Sequence, residues 1–140
     1  MKILLPVDGS SQSDRAVRHV ISEVNRDDGI QVALINVQAP IDAPELLSHM
    51  PECEIEAMQE TRGGDALRSA RTLLDKAGVP YTPSVLLGEI AETIDRYAKE
   101  NGCVRIVMGT RGMGAFGSAL MGSVATRLLS LTDLPVTLVK

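Results

Sequence analysis

Five glycines lie close together near the carboxyl end of the chain, and their spacing suits the binding of an anion. Of the 12 glycines in the sequence they are Gly109, Gly112, Gly114, Gly117 and Gly122. Because glycine has no Cβ, backbone N–H groups around residues 112–114 can turn inward, and Ser123 adds a hydroxyl at the start of a predicted helix. Phosphate is the natural occupant of such a loop.

Arg111, in the same segment, is the candidate cation for pairing with a phosphate. An arginine at a loop tip is also often simply solvated, since isolated surface ion pairs contribute little. A glycine-rich loop that holds no ligand is a further alternative. The sequence leaves both alternatives open.

Two common phosphate-binding motifs do not account for this segment. A Walker A motif ends in Gly-Lys-Ser or Gly-Lys-Thr, which neither 114–116 nor 117–119 supplies. Residues 112–117 do read G-x-G-x-x-G, but they follow the fourth predicted strand rather than the first. The next acidic residue, Asp133, precedes a strand instead of ending one, so a dinucleotide-binding fold is rejected.

The turn after the first predicted strand carries the second candidate group. It reads Val7-Asp8-Gly9-Ser10-Ser11. The Asp8 carboxylate suits the hydroxyl donors of a ribose, whereas it would face a phosphate only through Mg²⁺ or Mn²⁺. Aspartate is also a favoured N-cap, so capping of the first helix is the structural alternative, and the two roles are compatible.

Other residues that could do chemistry are sparse. His49 and Cys53 are two ligands at best, short of the three or four that zinc takes, and His19 lies on the flank of the first predicted helix. Cys53 and Cys103 are isolated, so we expect reduced thiols. The sequence predicts no catalytic residue and no metal site built from protein ligands alone.

A succession of strands and helices must position these groups. Short apolar runs without strict alternation predict buried strands at 3–7, 31–37, 85–87, 104–108 and 136–139. Apolar residues at helical spacing predict four helices between them, at about 16–24, 66–77, 90–97 and 124–129. This alternation predicts a parallel sheet covered by helices on both faces, in one three-layer α/β domain over residues 1–140.

Helix boundaries are predicted from caps and glycines. Ser11 followed by Asp14 resembles a capping box, and Gly29, Gly78 and Gly102 fall where helices end in a residue of positive φ. Residues 38–64 contain three prolines and the Gly63-Gly64 pair, which predict a loop and a broken helix.

Composition excludes several classes of function. With 140 residues, 44% hydrophobic and 23% charged, the chain has enough apolar material for one core, which excludes intrinsic disorder. A net charge of -4 argues against a nucleic-acid backbone as partner, and 2% aromatic residues argue against base-stacking platforms. No apolar run reaches the 18 residues of a membrane span and no signal peptide is evident, so we expect a cytoplasmic protein.

The spacing Gly109-x2-Gly112-x9-Gly122-Ser123 resembles, in full, the G-x2-G-x9-G-S/T motif of the ATP-binding branch of the universal stress protein family. The resemblance extends along the chain. Residues 2–10 look like the family's first strand and turn, 33–37 like its second strand, and 134–139 like its closing strand. One departure is Ile90, where the family often has a proline at the start of the third helix; we expect it to affect that helix start only.

The resemblance implies a Rossmann-like fold of the adenine nucleotide alpha hydrolase type, with strand order 3-2-1-4-5, and a homodimer paired through the strand at 136–139. It also implies an adenine-nucleotide site. Asp8 would face the nucleoside and Val37 would meet the adenine through its backbone, while Gly109, Gly112, Gly122 and Ser123 would hold ribose and phosphates. The predicted site is completed by Pro6, Val7, Met108, Arg111, Met113, Gly114 and Val124.

The function expected from the sequence is therefore that of an ATP-binding or other adenine-nucleotide-binding stress protein, with Mg²⁺ or Mn²⁺ as a bridging ion. We expect a regulatory binding module, because the loop offers only Arg111 to neutralise a transferring phosphoryl group. Slow ATP hydrolysis and a nucleotide-free dimeric interaction protein are the alternatives.

Overall fold

The computed structural model describes residues 1–41, 48–110 and 121–140. Strands and helices alternate along them. In chain order they are β1 (Lys2–Pro6), α1 (Ser11–Val24), β2 (Gln31–Gln38), α2 (Glu52–Lys76), β3 (Tyr81–Leu87), α3 (Ile90–Glu100), β4 (Arg105–Gly109), α4 (Ser123–Leu131) and β5 (Val136–Val139).

The five strands form one parallel sheet in the order β3-β2-β1-β4-β5. This confirms the predicted fold class and strand order. Because β1 lies in the centre and the chain later crosses to β4 on its other side, the strand order reverses between β1 and β4. Ligands of open parallel sheets bind outside the carboxyl ends of the strands at such a point.

Helices cover both faces of the sheet, which explains the unbroken apolar runs of the central strands. One core layer lies under α1 and α2, where Leu5, Leu34 and Val107 meet the helices. The other lies under α3 and α4 and includes Leu4 and Ile106. All five of these side chains are fully buried. Successive strand residues thus enter opposite layers, as the period of two requires.

The helix ends differ in part from the prediction. The N-cap of α1 is Ser10, not Ser11, and its Oγ accepts a hydrogen bond from the Ser13 N–H. Gly78 and Gly102 have φ of 70° and 69° and follow helices as predicted. Gly29 is not among the residues of positive φ; its N–H instead donates to the Asp27 carboxylate, 2.9 Å away.

The prediction of a broken helix within residues 38–64 was wrong. α2 is continuous over 25 residues and runs through Gly63 and Gly64. Gly63 is buried there, and a Cβ built on it would lie 2.3 Å from Cγ1 of Val85 in β3. Gly63, which predicted a break in the helix, therefore allows close contact between α2 and the sheet instead.

The strand β3 begins four residues earlier than predicted, at Tyr81 instead of Val85. It is an edge strand, and its first half contains the exposed Thr82 and Pro83, so it lacks the apolar run that identified the central strands. Proline has no backbone N–H to donate. It is tolerated in an edge strand because half of the backbone positions of such a strand have no neighbouring strand to bond. Within the described ranges no helix combines the length and apolarity of a membrane span.

Candidate functional site

Three neighbouring strands, β1, β2 and β4, end near one another at the edge of the sheet that holds the carboxyl ends of all five strands, here called the carboxyl edge. Pro6 of β1 is opposite Ile35 of β2, and Leu4 is opposite Ile106 of β4. Continuing both registers along the chain brings Asp8 level with Val37 on one side and with Thr110 on the other. Neighbouring strands are about 4.8 Å apart, so the extended register places the buried residues Val37 and Thr110 on either side of Asp8.

Asp8 is held in place by the first turn of α1. Its Oδ1 accepts hydrogen bonds from the Ser10 N–H at 2.9 Å and from the Ser13 hydroxyl at 2.8 Å. The Asp8 N–H donates in turn to Ser13 Oγ at 3.1 Å. Asp8 is therefore not itself the N-cap, the alternative that the sequence left open, but its carboxylate is bonded to the backbone of the cap residue. It is part-buried at the carboxyl edge, where a ligand contact is possible.

A side-chain network that sequence reasoning missed connects the ends of β1 and β2. Asn36 Nδ2 donates to the Val7 carbonyl oxygen at 2.8 Å, and Gln38 Nε2 donates to Asn36 Oδ1 at 2.7 Å. Asn36 is 3% exposed. The sequence does indicate such a network, because Asn36 is the one polar residue in the apolar run 32–37, and a buried amide needs hydrogen-bond partners. The network fixes the main chain just before Asp8.

The residues on either side of the glycine-rich segment are joined by a hydrogen bond. Gly122 N–H donates to the Thr110 carbonyl oxygen at 2.6 Å, and Thr110 N–H donates to the Val139 carbonyl oxygen at 3.0 Å. The start of α4 is thereby attached to the carboxyl edge beside β4. Four predicted site residues, Arg111, Gly112, Met113 and Gly114, lie outside the described residues.

The N-terminus of α4 offers donors for an anion. Gly122 is its N-cap and has no side-chain capping bond. The first intrahelical bond runs from Thr126 N–H to the Gly122 carbonyl oxygen, which leaves the N–H groups of residues 123–125 without an acceptor inside the helix. α1 also begins at the carboxyl edge, so two helix dipoles add positive potential there.

Gly109 is needed for packing irrespective of any ligand. A Cβ at this position would lie 3.0 Å from the backbone carbon and oxygen of Gln12, in the first turn of α1. That distance is shorter than ordinary van der Waals contact. Gly109 therefore lets β4 approach the same helical turn that carries Ser13, and the predicted motif residue has a structural reason of its own.

The remaining predicted site residues lie at or near the carboxyl edge. Pro6, Val7, Val37 and Met108 are buried at the ends of their strands, and Val37 pairs with Leu86 of β3 on its other side. Ser123 is exposed and Val124 half-buried in the first turn of α4. The structure thus brings the described members of the predicted set together at one edge.

The residues considered for other chemistry show no such convergence. His49 and Cys53 are both exposed. Burial raises the pKa of the Cys103 thiol, which makes it less reactive as a nucleophile. In the ranges that the structure describes, no three His, Cys, Asp or Glu side chains are grouped as a metal site of the protein's own would need.

The geometry defines an α/β protein with a candidate anion site where the strand order reverses between β1 and β4. Comparison with known proteins identifies the family. The model of the universal stress protein family matches residues 1–140, and the chain belongs to that family. It is 30% identical over 146 residues to universal stress protein MJ0531 of Methanocaldococcus jannaschii, covering 99% of this chain and 81% of that one. It is 32% identical over 139 residues to a universal stress protein of Thermus aquaticus, covering 99% and 97%.

Solved structures share the fold. The protein MJ0577 superposes with a TM-score of 0.84 at 24% identity, covering 99% of this chain and 94% of that one. Two more distant structures contain a nucleotide. A universal stress protein from Archaeoglobus fulgidus in complex with dAMP has a TM-score of 0.66 at 23% identity, covering 100% and 98%. A family protein from Arabidopsis thaliana with AMP bound has a TM-score of 0.69 at 18% identity, covering 100% and 91%.

Proposed function

We propose that this protein is a regulatory module that binds an adenine nucleotide, ATP foremost, at the carboxyl edge between β1 and β4. The observation that carries the proposal is the convergence there of an ordered carboxylate, Asp8, with the N-terminus of α4, whose N-cap Gly122 makes no side-chain capping bond. A carboxylate suits the hydroxyls of a sugar, and backbone N–H groups suit a phosphate. A nucleotide presents both groups a short distance apart.

Each part of the nucleotide has its own partners in this proposal. Asp8 accepts from the ribose hydroxyls, and the Val37 backbone meets the adenine between flanking aliphatic side chains. The phosphates lie against the N–H groups and hydroxyl at the start of α4. The complete proposed set is Pro6, Val7, Asp8, Val37, Met108, Gly109, Arg111, Gly112, Met113, Gly114, Gly122, Ser123 and Val124.

The choice of ATP rests on the glycine motif, and the choice of an adenine nucleotide has additional support from the relatives. AMP and dAMP, bound in two of the related structures, share an adenine, a pentose and one phosphate. The longer motif 109–123 provides for further phosphates. Mg²⁺ or Mn²⁺ would enter with the nucleotide and offset the negative charge of its phosphates, and Asp8 is the residue that would face such an ion.

The first experiment is to denature freshly purified protein, chromatograph the released small molecules, and then record melting curves with and without Mg-ATP. At a ligand concentration one hundred times Kd, binding adds about 2.7 kcal/mol to the free energy of unfolding. For a chain of this length that raises Tm by about 10 °C. Folded protein that neither releases a nucleotide nor shifts with ATP, ADP or AMP would contradict the proposal.

A pair of variants on one helix tests the phosphate end. Ser123→Ala removes a hydroxyl at the start of α4, and we expect about tenfold weaker ATP binding, in line with a hydrogen bond to a charged group. Ser130→Ala removes a hydroxyl near the other end of α4, where it bonds the Arg127 carbonyl oxygen at 2.7 Å. That control should bind ATP as the wild type does. Equal affinities for ATP in the wild type and both variants would show that the phosphates do not contact the Ser123 hydroxyl.

The proposal includes a cytoplasmic homodimer. Two free cysteines, Cys53 and Cys103, suit a reducing compartment. The dimer would form through β5, an edge strand in the described sheet.

A further inference from the structure

One hydroxyl, that of Ser13, holds both the main chain and the side chain of Asp8. Ser13 Oγ donates to Asp8 Oδ1 at 2.8 Å and accepts from the Asp8 N–H at 3.1 Å. Ser13 is only 6% exposed. The same oxygen also accepts from the Ser10 hydroxyl at 3.4 Å, so its one donor and both acceptor sites are used. It fixes the backbone at residue 8 and, together with the Ser10 N–H at 2.9 Å, the direction of the carboxylate.

Ser13 is itself rigidly placed. Its N–H donates to Ser10 Oγ at 3.2 Å, in the N-capping bond of α1. About one turn further along the helix, Ala16 and Val17 are fully buried against the sheet. The position of the hydroxyl is therefore set by the docking of α1, not by a mobile loop.

We propose that Ser13 is the positioning residue that presets Asp8 for recognition of the ribose hydroxyls. The inference rests on the proposed function and assigns a role to a residue that touches no part of the nucleotide. Ordering the carboxylate before the ligand arrives removes the cost of ordering it on binding, which is the advantage of preorganisation. Ser13 should therefore affect how the site discriminates sugars, with little effect on phosphate binding.

The test compares the affinities for ATP and for 2′,3′-dideoxy-ATP, which lacks both ribose hydroxyls. We expect the wild type to prefer ATP by about tenfold or more, the factor for hydrogen bonds to a charged group. In Ser13→Ala we expect most of that preference to disappear, while the affinity for dideoxy-ATP changes less than about twofold. A residue with only a structural role would weaken both ligands equally.

Two further variants complete the comparison. Ser13→Thr keeps the hydroxyl and should retain the preference for ATP. Ser22→Ala makes the same chemical change as Ser13→Ala at an exposed position of the same helix, and should behave as the wild type. If Ser13→Ala does not fold, Ser13→Thr and a crystal structure of the wild type with ATP provide the test, since Ser13 must keep its bond to Asp8 while Asp8 contacts the ribose.

The outcomes separate this inference from the function on which it rests. Absence of binding by wild-type protein to any adenine nucleotide would remove the proposed function. Wild-type binding without a preference for ATP over dideoxy-ATP would overturn the role of Asp8 and Ser13 and leave nucleotide binding in place. A preference that survives in Ser13→Ala, or a complex in which the Ser13 bond to Asp8 is lost, would overturn the inference alone.

Discussion

A single glutamate, Glu23 near the end of α1, connects the helix to two strands. Arg105 of β4 contacts both Glu23 oxygens, through Nη1 at 3.2 Å to Oε1 and through Nη2 to Oε2, and Nη1 also donates to Thr137 Oγ1 of β5 at 3.0 Å. His19, one turn earlier on α1, lies 3.0 Å from Glu23 Oε1. The pair thus stabilises the packing of α1 across β4 and β5, far from the carboxyl edge.

This arrangement predicts an acid-dependent loss of stability. The hydrogen bond from Arg105 lowers the pKa of Glu23 below its ordinary value, and burial opposes that shift only in part. A carboxyl with a lowered pKa in the folded state stabilises the protein above its unfolded pKa, about 4.3 for glutamate. The contribution is lost as the pH falls through the lower pKa of the folded state.

Glu23→Gln removes this contribution. The two side chains are 20% and 26% exposed, so we expect a loss of about 1 kcal/mol near neutral pH, the upper end for such pairs. Urea unfolding between pH 7 and pH 3 measures it. The wild-type and variant curves should approach each other below the unfolded pKa of about 4.3 and meet only below the lowered pKa of the folded state, where the glutamate is protonated in both folded and unfolded chains. A constant difference at every pH would mean that the charge of Glu23 contributes nothing.

Two adjacent glycines in α2 provide a test of how this helix packs. The built Cβ at Gly63 lies 2.3 Å and 2.8 Å from the two methyl carbons of Val85, whereas the one at Gly64 has nothing within 4 Å. Valine is stiff at χ1, so it cannot turn aside without strain. Gly63→Ala should destabilise the protein by about 1–2 kcal/mol through overpacking. Gly64→Ala should stabilise it by about 0.5–1 kcal/mol through helix propensity.

The control for the packing argument is the Val85→Ala background. With the methyl groups removed, Gly63→Ala should cost less than in the wild type, because the gain in helix propensity is then opposed only by the Cβ of residue 85, 3.1 Å from the built Cβ. Chemical denaturation of the four Gly63 and Val85 combinations gives the coupling. A cost of Gly63→Ala that is the same in both backgrounds would show that Val85 is not the cause.

The same contact explains where the sequence misled. Central strands were predictable because burial on both faces leaves an unbroken apolar run, and α3 because its apolar residues recur at helical spacing. The first half of α2 was not predictable, because Pro51 and Gly63 are residues that usually end or interrupt a helix. Only the packing of Gly63 against Val85 shows why a glycine lies inside it. The beginning of β3 was missed for the related reason that an edge strand needs no apolar run.

The candidate site shows the same division. Asp8 and the residues around Gly122 were predictable from type and spacing, since a carboxylate after the first strand and glycines before a helix lie where open parallel sheets bind ligands. Ser13 and Asn36 were not, because their importance lies in hydrogen bonds to Asp8 and Val7 that only the folded chain forms. The sequence therefore predicts the residues that could contact a ligand, but not the hydrogen bonds that hold those residues in place.

At the scale of the whole molecule, the sheet leaves β5 as an edge in the part of the chain that the structure describes. Within the ladder to β4, the carbonyl oxygens of Pro135 and Val139 accept from Ile106 and Thr110, both at 3.0 Å. Backbone groups of a strand alternate in direction, so those of Val136 and Leu138 point away from β4. An exposed row of this kind is a template for pairing with another strand.

Pairing of two β5 strands across a twofold axis would satisfy these groups and extend the sheet through both copies. Such an interface is isologous, so a change at Leu138 acts twice, once from each subunit. We therefore expect sedimentation at micromolar concentration to give twice the chain mass of 15.0 kDa. Leu138→Lys places two like charges at the contact and should give the single-chain mass.

The opposite edge supplies the matched control, because Leu87 of β3 is 45% exposed and belongs to the other edge strand. Leu87→Lys makes the same chemical change there and should leave the dimer intact. Circular dichroism and ATP-dependent melting confirm that each variant is folded, which matters because Leu138 also packs against the core under α3 and α4. A wild type of single-chain mass would exclude the dimer, and dissociation by Leu87→Lys instead would move the contact to β3.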